Sequence, residues 1–379
     1  MNITYLTPDA RGDIAWPSVD NDRRAVVTLG AFDGMHRGHV AVVERVVELA
    51  RRHDAFSYVI LFDPRPAFVH AWAKAHDGVE PDENAFDANR LTGVDERLRR
   101  LEELGADHVF VVRYTLALAA QSHVFFLGRL TGKLGMRTLV LGRDAALGAG
   151  RKGDAKAIAD LAAATGVFEL ELVDDRGPGE VRIPRQWTPE APAGRGEPED
   201  PLKDATKAER RAWSKRHQAV ATRAWSSSNV RWLLGHGRVR EANEILGHAH
   251  AVEGVVVHGE ERGRAIGFPT ANLEADGLTG YLPVDGVYAG WLVDRTEEGE
   301  RRWPAAISIG TKPTFSEKTG LRERVVEAHA VTDGWIDLYG HTARVEFAGY
   351  LRPQERFADA EALTAELRRN VAETKTLLG

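Results

Sequence analysis

Two histidines, His36 and His39, stand three residues apart in the run Leu29-Gly30-Ala31-Phe32-Asp33-Gly34-Met35-His36-Arg37-Gly38-His39. They can face one way if the turn already begins a helix. The start of such a helix offers free N–H groups and a partial positive charge. Imidazoles placed there can hold triphosphate oxygens and stabilise charge on a departing pyrophosphate. Gly30, Gly34 and Gly38 let the backbone come close to a ligand. The run is not a Walker A loop, because no glycine-rich segment ends in Lys-Ser/Thr. Its glycine spacing also differs from the dinucleotide fingerprint. On spacing alone, a tight turn with two surface histidines explains the run equally well.

A second run carries different chemistry. Gly259, Gly263 and Gly267 surround the basic pair Arg262 and Arg264, and Pro269-Thr270-Ala271-Asn272 follows. Glycine backbone can wrap phosphate, and Thr270 offers a hydroxyl to Mg²⁺. Asn272 can donate to phosphate or accept from a hydroxyl through one planar group. The plain alternative for 258–264 is a hairpin with charged turn residues. Further on, Glu327 lies in Val325-Val326-Glu327-Ala328-His329-Ala330. Period two puts Val325, Glu327 and His329 on one face. A carboxylate there is either a base in a partly dry pocket or a surface group. Arg231, closing Ser226-Ser227-Ser228-Asn229-Val230-Arg231 near a helix start, suits a phosphate clamp or a solvated structural role.

These residues need elements to hold them. Strands at 25–30, 57–62, 108–114 and 137–142 alternate with helices at 38–54, 94–105 and near 119–135; another helix and strand follow. Apolar runs alternating with amphipathic helices predict a mostly parallel sheet covered on both faces. Residues 71–90 show no period and read as a long loop. Residues 176–212, rich in Pro, Gly and charge, read as a flexible insertion with a short helix near 204–216. A helix pair within 229–247 follows, with Ser228 as the expected cap. From about 251, five strand-like segments separated by turns predict a small antiparallel barrel. Residues 359–378 read as one closing amphipathic helix. The expected division is 1–248 and 251–379.

The chain has 379 residues, a net charge of −6 and no cysteine. That length is enough for two cores. The charge gives no global footprint for nucleic acid. The lack of cysteine excludes disulfides, thiolate metal sites and cysteine nucleophiles, and it fits a reducing compartment. No segment reads as a signal peptide or membrane span. A cytoplasmic protein with neither nucleic-acid nor membrane partners is expected.

The motifs together resemble the bacterial bifunctional riboflavin kinase/FAD synthetase family. Residues 30–39 resemble its G-x-F-D-G-x-H-x-G-H form of the nucleotidylyltransferase HxGH motif. Phe62-Asp63-Pro64-Arg65-Pro66 resembles F-D-P-x-P. Gly142-Arg143-Asp144 resembles the start of G-x-D-F-x-F-G, with Ala145 and Leu147 in place of both aromatics. Residues 226–231 resemble S-S-T-x-I-R, with Ser228 for the threonine. The resemblance implies that His36, His39 and Arg231 act on ATP phosphates. It places Gly30, Phe32, Asp33, Gly34, Gly38, Asp144, Ser227 and Ser228 at that nucleotide site.

Residues 259–272 resemble the riboflavin kinase run G-x-x-x-G-R-x-x-G-x-P-T-A-N. This implies that Thr270 and Asn272 coordinate Mg²⁺ and nucleotide phosphate, beside Gly259, Arg264 and Gly267. Residues 309–315 resemble another family block, with Lys312 where asparagine is usual. The E-x-H segment followed by Asp337-Leu338-Tyr339-Gly340 implies that Glu327 is the base for the riboflavin 5′-hydroxyl. Arg352 matches a family arginine near the flavin and nucleotide sites.

The fold implied is a nucleotidylyltransferase-like parallel α/β domain for FMN adenylylation, then a small antiparallel β-barrel riboflavin kinase domain with a C-terminal helix. The implied activity converts riboflavin to FMN and FMN to FAD, using ATP and Mg²⁺ and releasing pyrophosphate in the second step. Three alternatives remain open. The first is a kinase with weakened adenylylation. The second is a nucleotidylyltransferase for another small phosphate ester. The third is a flavin carrier that consumes no ATP.

Overall fold

The computed structural model describes residues 1–17, 24–258, 268–275, 277–296, 299–311, 324–332, 334 and 336–379. The chain forms two compact units, Met1–Gly179 with Ala224–Ser226, and Glu180–Arg223 with Ser227–Gly379.

The first unit begins with β1 (Asn2–Leu6), β2 (Ala25–Gly30), α1 (Arg37–Arg52), β3 (Phe56–Asp63), α2 (Pro66–Ala75), α3 (Val94–Glu103) and β4 (His108–Arg113). It continues with α4 (Leu116–Ala119), α5 (His123–Leu134), β5 (Met136–Gly142), β6 (Ala146–Leu147), β7 (Gly153–Asp154), α6 (Ala155–Thr165) and β8 (Glu169–Val173). Six strands make one parallel sheet in the order β1-β4-β3-β2-β5-β8. From β2 the chain builds outward through β3 and β4, then returns to add β5 on the other side. This reversal opens a crevice at the carboxyl ends of β2 and β5, where open α/β sheets bind ligands.

Alternate residues of the strands fill two separate cores. Val27, Leu29, Tyr58, Ile60, Phe110 and Leu139 pack with Leu127 and Leu130 of α5 and Ile158 of α6. Val59, Leu61, Val109 and Val111 pack with Val43 and Val47 of α1 and Leu98 and Leu101 of α3. The period of two in the strands and of 3.6 in the helices thus builds the covered parallel sheet expected. Two parts differ from the sequence reading. The exposed edge strand β1, with Tyr5 66% accessible, carries too little apolar pattern to be seen. The expected loop at 71–90 begins late, because α2 runs to Ala75 from Pro66 at its first turn.

The second unit contains β9 (Glu180–Pro184), α7 (Lys207–Arg216), β10 (Ala219–Arg223), α8 (Ser227–Leu234) and α9 (Val239–Leu246). Then come β11 (His250–Val257), β12 (Ala271–Leu273), β13 (Gly286–Thr296), β14 (Gly299–Thr311), β15 (Arg324–Ala330), β16 (Thr342–Arg352) and α10 (Ala360–Leu378). β9 and β10 form an antiparallel hairpin. The last six strands close a barrel in the order β11-β12-β15-β14-β13-β16. Val252, Leu292, Ile307, Val326, Val345 and Phe347 fill it.

Three readings are corrected here. The barrel has a sixth strand, β12, whose three residues are too short to show alternation. Ser228 lies in the first turn of α8 rather than capping it, since the helix starts at Ser227. The short helix expected near 204–216 is α7, where Thr206 and Glu209 make a capping box, but the rest of 176–212 also holds the strand β9. Charged side chains of this segment have partners far away in sequence, and composition does not reveal such partners.

His250 links barrel stability to pH. Its Nε2–H donates to the Tyr281 carbonyl at 2.6 Å, and its ring stacks on Phe347. Burial pushes its pKa from 6.5 down to about 4. Between those values the unfolded chain binds a proton that the folded chain refuses. This share of stability is complete above about pH 6.5 and is lost as pH falls toward 4, a change of about 3 kcal/mol. A melting profile of the protein should fall steeply through that window, and His250→Gln should flatten it. Parallel profiles for the two chains would contradict this assignment.

Candidate active sites

The glycine-rich turn of residues 30–36 sits at the carboxyl end of β2. His36 is the N-cap of α1, with extended backbone, and its Nδ1 accepts from the His39 backbone N–H at 3.4 Å. The two rings stack with centroids 3.7 Å apart. His36 is 1% accessible, whereas His39 keeps partial exposure. The pair therefore lies at the start of a 16-residue helix, where backbone N–H groups are free to meet an anion.

The turn is held under strain. Phe32, Gly34 and Met35 all have positive φ, at 48°, 85° and 41°. This conformation turns Phe32 and Met35 into the core beside Val43 and Leu61. Phe32, expected at the nucleotide, thus packs under the turn, edge-on to His39 at 5.4 Å. Asp33 is also inward. Its Oδ1 accepts from the backbone N–H groups of Leu91 and Thr92 at 2.8 and 3.2 Å. Gly34 N–H donates to Thr92 Oγ1 at 3.0 Å. These bonds hold the turn's shape, so Asp33 positions the turn.

Gly38 and Gly142 are demanded by close approach. A Cβ on Gly38 would lie 2.3 Å from the Asp175 carbonyl, and one on Gly142 would lie 2.2 Å from the Asp175 carboxylate. Asp175 is 5% accessible and follows β8, so it closes the crevice beside the helix start. Gly30 ends β2 with ordinary room around it. Asp144 is exposed in the turn after β5. Ala145 and Leu147, standing for the two aromatics, pack against the sheet core.

Two buried arginines were missed by sequence reading. Arg97 is 0% accessible. It donates to the Ala31 carbonyl at 2.9 Å, to Asp63 Oδ1 at 2.6 Å and to the Gly93 carbonyl at 3.2 Å. Arg65 donates to both Asp87 oxygens at 2.7 Å and lies 3.6 Å from Asp33. Together they fasten the turn to the end of β3 and the 87–93 segment. We expect Arg97→Met to destabilise the first unit by about 3 kcal/mol, because Asp63 and the carbonyls of Ala31, Phe62 and Gly93 lose a buried donor. Urea unfolding checks this; a loss under about 1 kcal/mol would show that the network is dispensable.

Ser227, Ser228 and Arg231 belong to the second unit, on α8. Their spacing of three and four residues places them on one helix face. Ser228 is exposed, and Ser227 and Arg231 are partly buried.

In the barrel, β12 pairs Asn272 with Glu327 of β15, and β14 pairs Ser308 with the same Glu327. The row Asn272–Glu327–Ser308 lies on the face opposite Val326 and Ala328, which are buried in the barrel. Asn272 is 7% accessible and its Nδ2 donates to Thr270 Oγ1 at 3.2 Å. Its Oδ1 is buried and finds no hydrogen-bond donor among the described residues. A buried acceptor beside a hydroxyl is a donor set that suits a hard cation such as Mg²⁺. His329 Nδ1–H donates to the Pro269 carbonyl at 2.8 Å, and burial lowers its pKa. Gln354, also missed in the sequence, donates to Ser308 Oγ at 2.9 Å and to the Ile309 carbonyl at 2.8 Å. Gly259, Arg264, Gly267 and Lys312 lie outside the described residues.

Arg352 ends β16 and is 3% accessible. Its Nε donates to Asn370 Oδ1 at 3.1 Å and lies 3.0 Å from Glu366 Oε1, both on α10. Burial lowers its pKa.

The chain is similar to known proteins along nearly its whole length. A family model for FAD synthetase matches residues 18–186, and one for riboflavin kinase matches residues 246–378. The bifunctional riboflavin kinase/FMN adenylyltransferase of Escherichia coli K12 is 32% identical over 355 residues, covering 93% of both chains. The Listeria monocytogenes protein of that name is 29% identical, covering 93% of this chain and 92% of its own. A crystal structure described as a macrolide-efflux protein from Streptococcus pneumoniae superposes with a TM-score of 0.69 at 24% identity, over 98% of each chain. At that identity the likeness speaks for the fold alone. Both family models in order, and a relative aligned along nearly the whole length, show that the chain belongs to the bacterial bifunctional riboflavin kinase/FMN adenylyltransferase family.

Proposed function

We propose that the barrel phosphorylates the 5′-hydroxyl of riboflavin with ATP, and that the parallel-sheet domain joins the resulting FMN to AMP from a second ATP. The first reaction yields FMN, ADP and a proton. The second yields FAD and pyrophosphate. What carries the reading is that one chain holds both constellations: stacked histidines at a helix start in a switch-point crevice, and a buried asparagine paired across strands with a glutamate.

In the kinase step Glu327 accepts the proton of the riboflavin hydroxyl as it attacks the γ-phosphorus. Thr270 and Asn272 would hold Mg²⁺, which supplies charge neutralisation on the nucleotide phosphates. In the adenylyl step the FMN phosphate is itself the nucleophile and attacks the α-phosphorus. No protein nucleophile is needed. His39, stacked on His36, would stabilise the charge that develops on the leaving pyrophosphate, together with the N–H groups of α1.

A second reading rests on Ala145 and Leu147, which pack into the sheet core instead of offering rings to a ligand. It is a kinase with weakened adenylylation. A time course of the purified protein with riboflavin, ATP and Mg²⁺, resolving the three flavins by chromatography, separates the two. FMN followed by FAD is the expected result. FMN that accumulates without FAD, even when supplied directly, selects the second reading. Unchanged riboflavin rejects the kinase assignment.

A further inference from the structure

Residues 187–245 lie between the two family matches, and part of that segment is built against the end of β16. Glu190 N–H donates to the Gly235 carbonyl at 2.9 Å, and Trp187 packs edge-on to Trp232 with centroids 5.3 Å apart. From there the chain runs along residues 350 and 351. Gly196 N–H donates to the Leu351 carbonyl at 2.8 Å. Glu197 Oε1 accepts from Tyr350 N–H at 3.2 Å, and its carboxylate also accepts from Arg240 N–H. Glu197 has a side chain only 7% accessible, and burial raises its pKa.

Between these anchors Arg195 reaches α10. Its Nη1 donates to Glu366 Oε1 at 2.7 Å and its Nη2 to Glu373 Oε2 at 2.8 Å. The Glu366 oxygen is the same one that lies 3.0 Å from Arg352 Nε. One carboxylate oxygen thus lies between two guanidinium groups, and the same strand of chain also bonds the two residues before Arg352. Arg195 bridges two carboxylates of α10, so its guanidinium is anchored at Glu373 while its other prong holds Glu366, and Glu366 in turn fixes the guanidinium on its other side.

We propose that residues 190–197 form a strap belonging to the kinase site, with Arg195 the positioning residue for Arg352. The inference rests on the kinase reading above and on the place of Arg352 two residues before Gln354, whose amide bonds Ser308 in the row with Glu327. The strap would set the affinity for riboflavin without taking part in phosphoryl transfer.

The test is steady-state kinetics on the full chain. Arg195→Met keeps the aliphatic stem and removes both prongs. It should raise the KM for riboflavin by about five- to tenfold while kcat changes by less than about twofold. Arg195→Lys, which can serve only one carboxylate well, should recover part of the loss. FMN adenylylation should stay at the wild-type level, which excludes general misfolding. In a Glu366→Gln background, Arg195→Met should add little, because both changes break one chain of contacts. A riboflavin KM within about twofold of wild type, or full additivity with Glu366→Gln, overturns the proposal. A wild-type chain that does not phosphorylate riboflavin overturns the kinase reading and this inference with it. An active wild type with an unaffected Arg195→Met overturns the inference alone.

Discussion

Glu327→Gln is expected to slow riboflavin phosphorylation by about 10²- to 10⁴-fold, the usual contribution of a general base. The replacement keeps the size of the side chain and its capacity to accept a hydrogen bond. It removes only the basic oxygen. Glu327 sits mid-strand on β15, flanked in register by Asn272 and Ser308, so the surrounding ladder should survive the change. Its neighbours Val326 and Ala328 point to the other face and keep the barrel packed. The loss should appear in kcat and in kcat/KM alike, because the proton moves in the transition state. Adenylylation of supplied FMN serves as the internal control for folding. A kinase rate within about tenfold of wild type would show that another group, or the substrate itself, disposes of the proton.

The local parts of both sites were legible in the sequence because neighbouring residues create them. His36 and His39 meet through a helix turn, and a strand–glycine–helix junction announces that turn. Period two put Glu327 on one face of its strand, and only the resemblance singled it out as a base. What supports these groups was not legible, since its partners are distant. Arg97 reaches back to Ala31 and Asp63 across more than one secondary element, and an arginine in an amphipathic helix ordinarily reads as solvated. Asp175 meets Gly38 and Gly142 only because β8 lies beside β5 in the sheet. β12 was invisible because three residues carry no period, yet it sets Asn272 opposite Glu327. In the segment 176–212 the short helix was legible and the rest was not, for the opposite reason. Its composition resembles that of an unfolded linker, but Arg195 and Glu197 find partly buried carboxylate and backbone partners more than a hundred residues later. Composition predicts whether a segment can make its own core. It does not tell whether a neighbouring core accepts it.

His39→Ala should lower FMN adenylylation by about 10²- to 10³-fold, the range found when a donor to developing negative charge is removed. Fold and function separate cleanly at this position. The cap of α1 uses the His39 backbone N–H and the His36 ring, so it survives loss of the His39 side chain. The stacked contact with His36 and the edge contact with Phe32 are lost, a cost of about 1 kcal/mol or less. His36 is different: it is almost fully buried and caps the helix, so its removal mixes both effects. His36→Asn supplies a capping side chain without an imidazole and should cost little stability. If both imidazoles act on the phosphates, His39→Ala and His36→Asn each lose the adenylyl step while riboflavin phosphorylation continues. If His36 only orients His39, His36→Asn should fall well short of the His39→Ala loss. Should His39→Ala still form FAD at a rate within about threefold of wild type, charge stabilisation at the helix start would have to come from the backbone alone, and the assignment of the histidine pair would be wrong.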